Sequence, residues 1–143
     1  MPLPQHLTIE IVTPDRAIVH ETVDEAQIPG AEGYLGVLPG HTPLLVTLDV
    51  GEVWFRRGED LSYLHVAFGF AEILPDRIRI LARTAERADE IDIERAEAAA
   101  ERARKRLAEA TEVDFQRARI ALLKSLARLQ VAERMRRRRT PVR

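Results

Sequence analysis

Leu7-Thr-Ile-Glu-Ile-Val12 alternates apolar and polar side chains at every step. A period of two puts Leu7, Ile9 and Ile11 on one side of an extended chain and Thr8 and Glu10 on the other, as in a half-buried strand. Working outward, Pro14-Asp15 breaks this strand, and residues 17–23 and 25–28 read as two more before Pro29-Gly30. Residues 34–38 are a short run ending at Pro39-Gly40, and residues 44–48 an apolar run closed by Asp49-Val50-Gly51. Glu52-Val-Trp-Phe-Arg-Arg57 and Leu61-Ser-Tyr-Leu-His-Val66 flank Arg57-Gly58-Glu59-Asp60, a hairpin signal. Residues 70–74 and 77–81 flank Pro75-Asp76, a second one. About eight short strands at close spacing, with no helical period between them, predict an all-β antiparallel sandwich or barrel.

The rest of the chain changes character. All seven glycines lie at or before Gly69, and Pro141 is the only proline after Pro75. Without those interruptions the pattern becomes helical. Asp92 is a good N-cap, with Ile91 and Ala96 at hydrophobic-staple positions. Ala96, Ala99, Ala100, Ala103, Leu107 and Ala110 form one stripe at helical spacing. Thr111-Glu-Val-Asp114 is polar enough to turn the chain, and Thr111 or Asp114 can cap the next helix. Phe115, Ala118, Leu122, Leu126, Leu129 and Ala132 form a second stripe. The expected product is an antiparallel helical hairpin, alanine face against leucine face. The domains are therefore a β-sandwich over residues 1–86 and a two-helix unit over residues 87–143.

Charge divides the chain at the same place. Of 143 residues, 22 are basic and 23 acidic. Residues 1–90 carry 7 basic and 15 acidic side chains, a net −8, and residues 91–143 carry 15 and 8, a net +7. Zero cysteines exclude a disulfide scaffold, a thiol nucleophile and cysteine-bound metal clusters. No apolar run reaches the roughly 18 residues a membrane helix needs. Met1-Pro-Leu-Pro-Gln-His has neither a signal nor a transit pattern, so the cytoplasmic side of a bacterial-type cell is the expectation.

Motifs that carry chemistry are few. Gly30-Ala-Glu-Gly-Tyr-Leu-Gly-Val-Leu-Pro-Gly40-His41-Thr42 superficially resembles a phosphate loop. Its spacing fails: three residues separate Gly36 from Gly40, and His41 follows where lysine is needed. A tight-turn loop at one end of the sandwich is the simpler reading. His6, His20, His41 and His65 show no metal-ligand spacing, so no metal site is expected. Ser62 and Ser125 are the only serines and suggest no nucleophilic triad. Arg134 and Arg136 through Arg139 make a basic end with three readings: a nucleic-acid tail, a solvated helix end suited to the helix dipole, or a handle for an acidic protein partner.

Residues 7–84 resemble the N-terminal domain of the epsilon subunit of bacterial F-type ATP synthases. The resemblance rests on Val12-Thr-Pro-Asp-Arg16, Ile28-Pro-Gly-Ala-Glu-Gly33, Leu35-Gly-Val-Leu-Pro-Gly-His-Thr-Pro-Leu44, Gly51, Gly69-Phe-Ala-Glu72 and Ile80-Leu-Ala-Arg-Thr-Ala-Glu86. It implies a β-sandwich followed by a helical hairpin, and a non-catalytic central-stalk role. The implied partners are the gamma subunit, the c-ring and the alpha/beta catalytic head, with no nucleic acid, and membrane contact only through the complex. The implied location is peripheral, on the cytoplasmic face of the bacterial plasma membrane. An adaptor or nucleic-acid-binding protein using the Arg-rich C-terminus is the alternative.

Residue by residue, Gly30, Ala31, Glu32, Gly33 and Gly40, His41, Thr42, Pro43 stand where the family's end loops meet gamma or the c-ring. The hairpin of many relatives blocks ATP hydrolysis, which makes Arg117, Arg119, Lys124, Arg128 and Arg134 candidate inhibitory contacts with an acidic segment of the beta subunit. No cofactor is required, but some relatives bind regulatory ATP through Ile/Leu-Asp-x-x-Arg-Ala. Ile91-Asp-Ile-Glu-Arg-Ala96 matches it in full. The resemblance thus names Glu86, Ile91, Asp92, Arg95, Ala96, Arg102, Lys124 and Arg128 as candidate ATP contacts. Lys124 stands where such relatives tend to carry a second arginine, and lysine lacks the fork geometry for phosphate.

Overall fold

The computed structural model describes residues 2–109 and 111–139, without the side chains of residues 112, 113, 138 and 139. Ala110 of the first apolar stripe, and Arg138 and Arg139 of the basic end, therefore lie outside what is described of side chains. The described residues fall into two compact units divided between Arg87 and Ala88.

The first unit has seven strands: β1 Leu7–Val12, β2 Ala17–Val23, β3 Glu25–Gly30, β4 Gly33–Val37, β5 Leu44–Arg57, β6 Asp60–Leu74 and β7 Arg77–Arg87. They form one sheet in the order β2-β1-β7-β6-β5-β3-β4. All pairings are antiparallel except β1 with β7. β1 behaves as its alternation requires, with Leu7, Ile9 and Ile11 fully buried.

The expectation of about eight short strands is corrected at the middle of the sheet. Asp49-Val50-Gly51 does not end a strand, and residues 66–70 do not separate two. β5 and β6 each run continuously through these points, and β7 continues to Arg87. The ladder instead skips one rung at a single level. Leu48 pairs with Gly69 and Val50 with Ala67, while Gly69 pairs with Ala82 and Ala67 with Thr84. Asp49, Phe68 and Arg83 are passed over together. Phe68 adopts φ 61 and Gly69 φ 120, backbone that extended L-residues avoid. A Cβ on Gly69 would lie 2.0 Å from the Leu81 carbonyl oxygen, so only glycine allows β7 to approach this closely.

This kink turns one sheet into two five-stranded layers. One layer holds β2, β1 and the lower parts of β7, β6 and β5. The other holds the upper parts of β7, β6 and β5 with β3 and β4. The core between them contains Ile9, Ile11, Ile28, Phe55, Leu64, Ile73, Ile78 and Ile80. The sandwich expectation holds, and three of its strands belong to both layers.

The second unit has a 3₁₀ turn over Ala88–Glu90, α1 Ile93–Glu109 and α2 Glu112–Arg139. Asp92 caps α1: its Oδ1 accepts from the Arg95 N–H at 3.0 Å and its carbonyl from the Ala96 N–H at 3.0 Å. Ile91 and Ala96 are both buried, as a staple requires. The turn between helices is shorter than expected, since α2 already includes residues 112–114. The Thr111 carbonyl accepts from the Phe115 N–H at 2.9 Å, and its hydroxyl donates to Asp114 at 3.2 Å.

The apolar stripe of α2 is corrected at Phe115 and Leu126 and holds at Ala118 and Ala132. Phe115 and Leu126 are 44% and 40% exposed, whereas Ala118, Ser125 and Ala132 are buried at seven-residue spacing. Ala96, Ala100 and Ala103 are the buried residues of α1. Val131 is also fully buried and Leu122 and Leu129 are half-buried, so the buried side of α2 mixes small side chains with a few larger ones. Ser125 satisfies its hydroxyl by donating to the Ala121 carbonyl one turn back, at 2.9 Å.

Candidate functional site

Gly30, Ala31, Glu32 and Gly33 form the two-residue turn between β3 and β4. Gly33 has φ 136, and a Cβ on Gly30 would lie 2.8 Å from the Gly33 carbonyl. Ala31 and Glu32 project into solvent, while the Ala31 N–H donates to the Thr47 carbonyl at 2.8 Å and fixes the turn against β5. Gly40, His41, Thr42 and Pro43 lead into β5. Gly40 has φ 85, and its N–H donates to the Pro75 carbonyl at 2.8 Å. The His41 N–H donates to the Leu38 carbonyl at 3.2 Å, and its ring Nδ1 lies 2.6 Å from the Thr42 carbonyl, which assigns Nδ1 as the protonated nitrogen. Leu3 packs on Gly40 where a side chain would otherwise stand.

The turn at residues 30–33 borders a cleft of about 530 Å³ lined by residues 30–35 and 44–47, which the segment 40–43 does not line. Its rim exposes Tyr34 at 56%, Leu44 at 42% and Leu45 at 72%. The Tyr34 hydroxyl accepts from the Glu52 N–H at 3.2 Å. The end surface is thus rigid backbone carrying exposed apolar side chains.

A second surface was not foreseen from the sequence. Phe70 and Leu81 are opposite each other on β6 and β7 and are 55% and 53% exposed. Thr47 stands opposite Phe70 on β5, and exposed Leu45 lies two residues before it, level with Glu72. Beside it runs a charge ladder: Glu10 lies 3.7 Å from His20 and 3.2 Å from Arg79. The signal was available. Ala71 and Ile73 are buried, so period two turns Phe70 outward, and an outward phenylalanine on a flat layer marks an interaction surface.

Elsewhere the unit is tied down by polar contacts. Asp24 accepts from the Gly58 N–H at 2.7 Å and lies 3.1 Å from His6 Nδ1 and 3.5 Å from Arg56. The Gly58 N–H first, and His6 second, hold its carboxyl below the usual carboxylate range. Arg56 in turn donates through Nε to Glu25 at 2.7 Å.

The residues named for ATP fall in both units. Glu86, on β7, lies 3.6 Å from Nδ1 of buried His65. Asp92 spends its carboxylate on capping α1, Ile91 and Ala96 are buried, and Arg95 and Arg102 are exposed on that helix. Lys124 and Arg128 are half-buried on α2. Among the candidate inhibitory cations, Arg117, Lys124 and Arg128 are spaced by seven and four and share one helix face. Arg119 and Arg134 stand on another, both exposed.

Two family models match consecutive stretches: the ATP synthase delta/epsilon chain β-sandwich domain at residues 6–88, and its long α-helix domain at residues 89–133. The chain belongs to the ATP synthase delta/epsilon chain family. Several bacterial epsilon chains of this family are similar along almost their whole length. The chain is 48% identical to ATP synthase epsilon chain 2 of Syntrophotalea carbinolica, over 91% of this chain and 96% of that one. It is 47% identical to the epsilon chain of Solibacter usitatus, over 92% and 98%. A chain in the cryo-EM structure of the Euglena gracilis mitochondrial ATP synthase, OSCP/F1/c-ring in rotational state 1, superposes with a TM-score of 0.81 at 25% identity, covering 89% of this chain and 81% of that one. Nothing among these relatives supports the nucleic-acid or adaptor alternative. This family member is a non-catalytic, peripheral stalk subunit, and no described helix is long and apolar enough to cross a membrane.

Proposed function

We propose that the sandwich turns with the rotor of a bacterial F-type ATP synthase, gripping gamma and resting on the c-ring, at the cytoplasmic face of the plasma membrane. It thereby couples proton translocation to ATP synthesis in the alpha/beta head. The observation that carries this reading is likeness over nearly the full length of epsilon chains. The geometry supports a division of labour. The turn at residues 30–33 and the segment 40–43 offer fixed backbone for the c-ring loops, and the exposed Phe70–Leu81 pair offers an apolar face for gamma. Immobilised gamma should retain the full chain, and gamma together with a c-ring should retain it more firmly. Failure of the wild-type chain to bind either would remove this reading.

The hairpin is the regulatory part of the same proposal. Its folded form binds ATP through Asp92, Arg95, Arg102, Lys124 and Arg128, and its opened form inhibits hydrolysis through the α2 cations. The full match to Ile/Leu-Asp-x-x-Arg-Ala supports the first claim, although Asp92 already serves as a cap. Calorimetric titration with MgATP decides it: no heat at millimolar nucleotide rejects ATP binding. Removing residues 91–143 should raise the ATPase rate of the reconstituted head, and an unchanged rate rejects inhibition.

A further inference from the structure

Residues 2–6, ahead of β1, belong to no helix or strand, and a terminal segment of this kind frays unless something ties it down. Its sequence limits how it can lie. Pro2 and Pro4 fix their own φ, and Leu3, standing before a proline, is pushed into extended backbone. The stretch from Leu3 to His6 can span up to about 10 Å, at roughly 3.3 Å per residue.

Each end of this stretch meets a fixed point. Three side-chain atoms of Leu3 lie within 3.5 Å of where a Cβ on Gly40 would be, the nearest at 2.9 Å. A glycine at residue 40, which also has φ 85, leaves Leu3 this place. At the other end His6 Nδ1 lies 3.1 Å from Asp24 Oδ1, and since a carboxylate only accepts, Nδ1 is the protonated nitrogen. Asp24 is itself held: its Oδ2 accepts from the Gly58 N–H and its N–H donates to the Arg56 carbonyl, both at 2.7 Å.

The two anchors belong to different parts of the sheet. Asp24 is the corner between β2 and β3, and Gly40 lies in residues 38–43, the crossover from β4 to β5. The Gly40 N–H donates to the Pro75 carbonyl at 2.8 Å, and the adjoining Asp76 carbonyl accepts from the Thr8 N–H at 2.9 Å. The crossover, the Pro75–Asp76 turn and the start of β1 are thus tied into one cluster, with Leu3 seated on it.

We infer that residues 2–6 are a strap: latched by the His6–Asp24 bond and seated by Leu3 on Gly40, they hold residues 38–43 in the conformation that meets the rest of the rotor. Fixing a contact segment beforehand strengthens binding, because less ordering remains to be done on association. The contact with the rotor rests on the proposed role of residues 40–43, whereas the strap does not. Leu3 and His6 are both exposed, so removing either side chain loosens the strap without opening the core.

Amide exchange of the full chain, resolved residue by residue by NMR, tests this in Leu3→Ala, His6→Ala and His6→Asn. The Gly40 and His41 N–H groups, which donate to Pro75 and Leu38, are expected to exchange about five-fold faster in each alanine variant, while the buried Ile80 keeps its rate. Asparagine places a side-chain N–H close to where His6 holds Nδ1, so His6→Asn is expected to stay within about two-fold of wild type. Unchanged Gly40 and His41 rates in either alanine variant overturn the inference. So does acceleration that reaches Ile80 equally, which marks general loosening, and so does His6→Asn behaving as His6→Ala, which removes the latch. Assembly is the second readout: gamma with a c-ring should retain His6→Ala about three-fold less firmly than wild type. Equal retention of a variant whose crossover exchanges faster overturns the link to the rotor. Wild-type chain that is not retained sinks the rotor reading instead, and the exchange rates then decide the strap alone.

Discussion

Replacing Gly69 with alanine should cost the sandwich far more than one methyl group suggests. The added Cβ would stand 2.0 Å from the Leu81 carbonyl oxygen and 2.9 Å from the Ala82 Cα. Both are backbone atoms of β7, so no side chain can rotate away. Relief requires β7 to retreat by about an ångström, which disrupts the Gly69–Ala82 rung, worth on the order of 1 kcal/mol. An L-residue at φ 120 adds strain of about 1–3 kcal/mol. A loss of about 3 kcal/mol follows, which for a domain of this size lowers Tm by roughly 12–24 °C. Trp54 is the only tryptophan and lies on β5, so its fluorescence in urea follows the sandwich without the hairpin. Gly36→Ala is the control, with open space at its Cβ, and should change stability by less than about 0.5 kcal/mol. Gly69→Ala within about 1 kcal/mol of wild type would refute the argument that this glycine sets the kink.

Asp24→Asn should flatten the acid side of the stability curve. The folded-state pKa of Asp24 is depressed, so its contribution is present above the unfolded carboxylate pKa and is lost as pH falls through and below about 4; urea midpoints at pH 3, 4 and 6 measure this, and parallel curves for variant and wild type would count against it. Asp92→Ala should lower hairpin stability by about 1 kcal/mol through loss of the cap, read as helical circular dichroism at rising temperature, while Trp54 fluorescence stays put. Ala100→Leu should destabilise the hairpin by about 1–3 kcal/mol, because a small-residue seam has no room for it; a neutral result would mean the helices are not closely packed there.

The sequence reveals most of the small elements and misses the long ones for one reason. Alternation identified β1, and the Pro75-Asp76 and Arg57–Asp60 turns are where they were expected. Asp49-Val50-Gly51 reads as a terminator because such residues usually end strands. Here Gly51 is needed for close approach instead: a Cβ would meet Pro29 and the Tyr34 hydroxyl, each at 2.7 Å. Gly69 likewise looks like a break and is a bend. A glycine's local preference is the same in both roles, and only the neighbouring strand decides between them. The candidate loops were legible because their turns rest on local chemistry. The Phe70–Leu81 pair was not singled out, because period two turns Phe70 outward but only the β6–β7 register brings Leu81 opposite it. In α2 leucine and alanine occur four times each, and the stripe read from the sequence already held Ala118 and Ala132, both buried; it overstated only the burial of Phe115 and Leu126.

That seam has a consequence for how firmly the hairpin closes. Burying a methyl group contributes about 0.8 kcal/mol, against 1.5–3 kcal/mol for a whole leucine or isoleucine. Ala96, Ala100, Ala103, Ala118 and Ala132 are therefore weak individual contributors, and among the described residues Val131 is the one larger apolar side chain the two helices bury completely, while Ile120, Leu123 and Leu126 stay 38–46% exposed. The sandwich, by contrast, buries Leu64, Ile73, Ile78 and Ile80 completely. Helices this weakly joined open more readily than strands shared between two layers, as the regulatory role proposed for the hairpin requires. Amides of α1 and α2 should accordingly exchange with solvent faster, by at least about a hundred-fold, than those of Leu64 and Ile80, since a difference of roughly 2.7 kcal/mol in opening free energy corresponds to that factor. Equal protection in helices and core strands would show that the hairpin opens only when the whole chain unfolds, and a switch built on its opening would then have no physical basis.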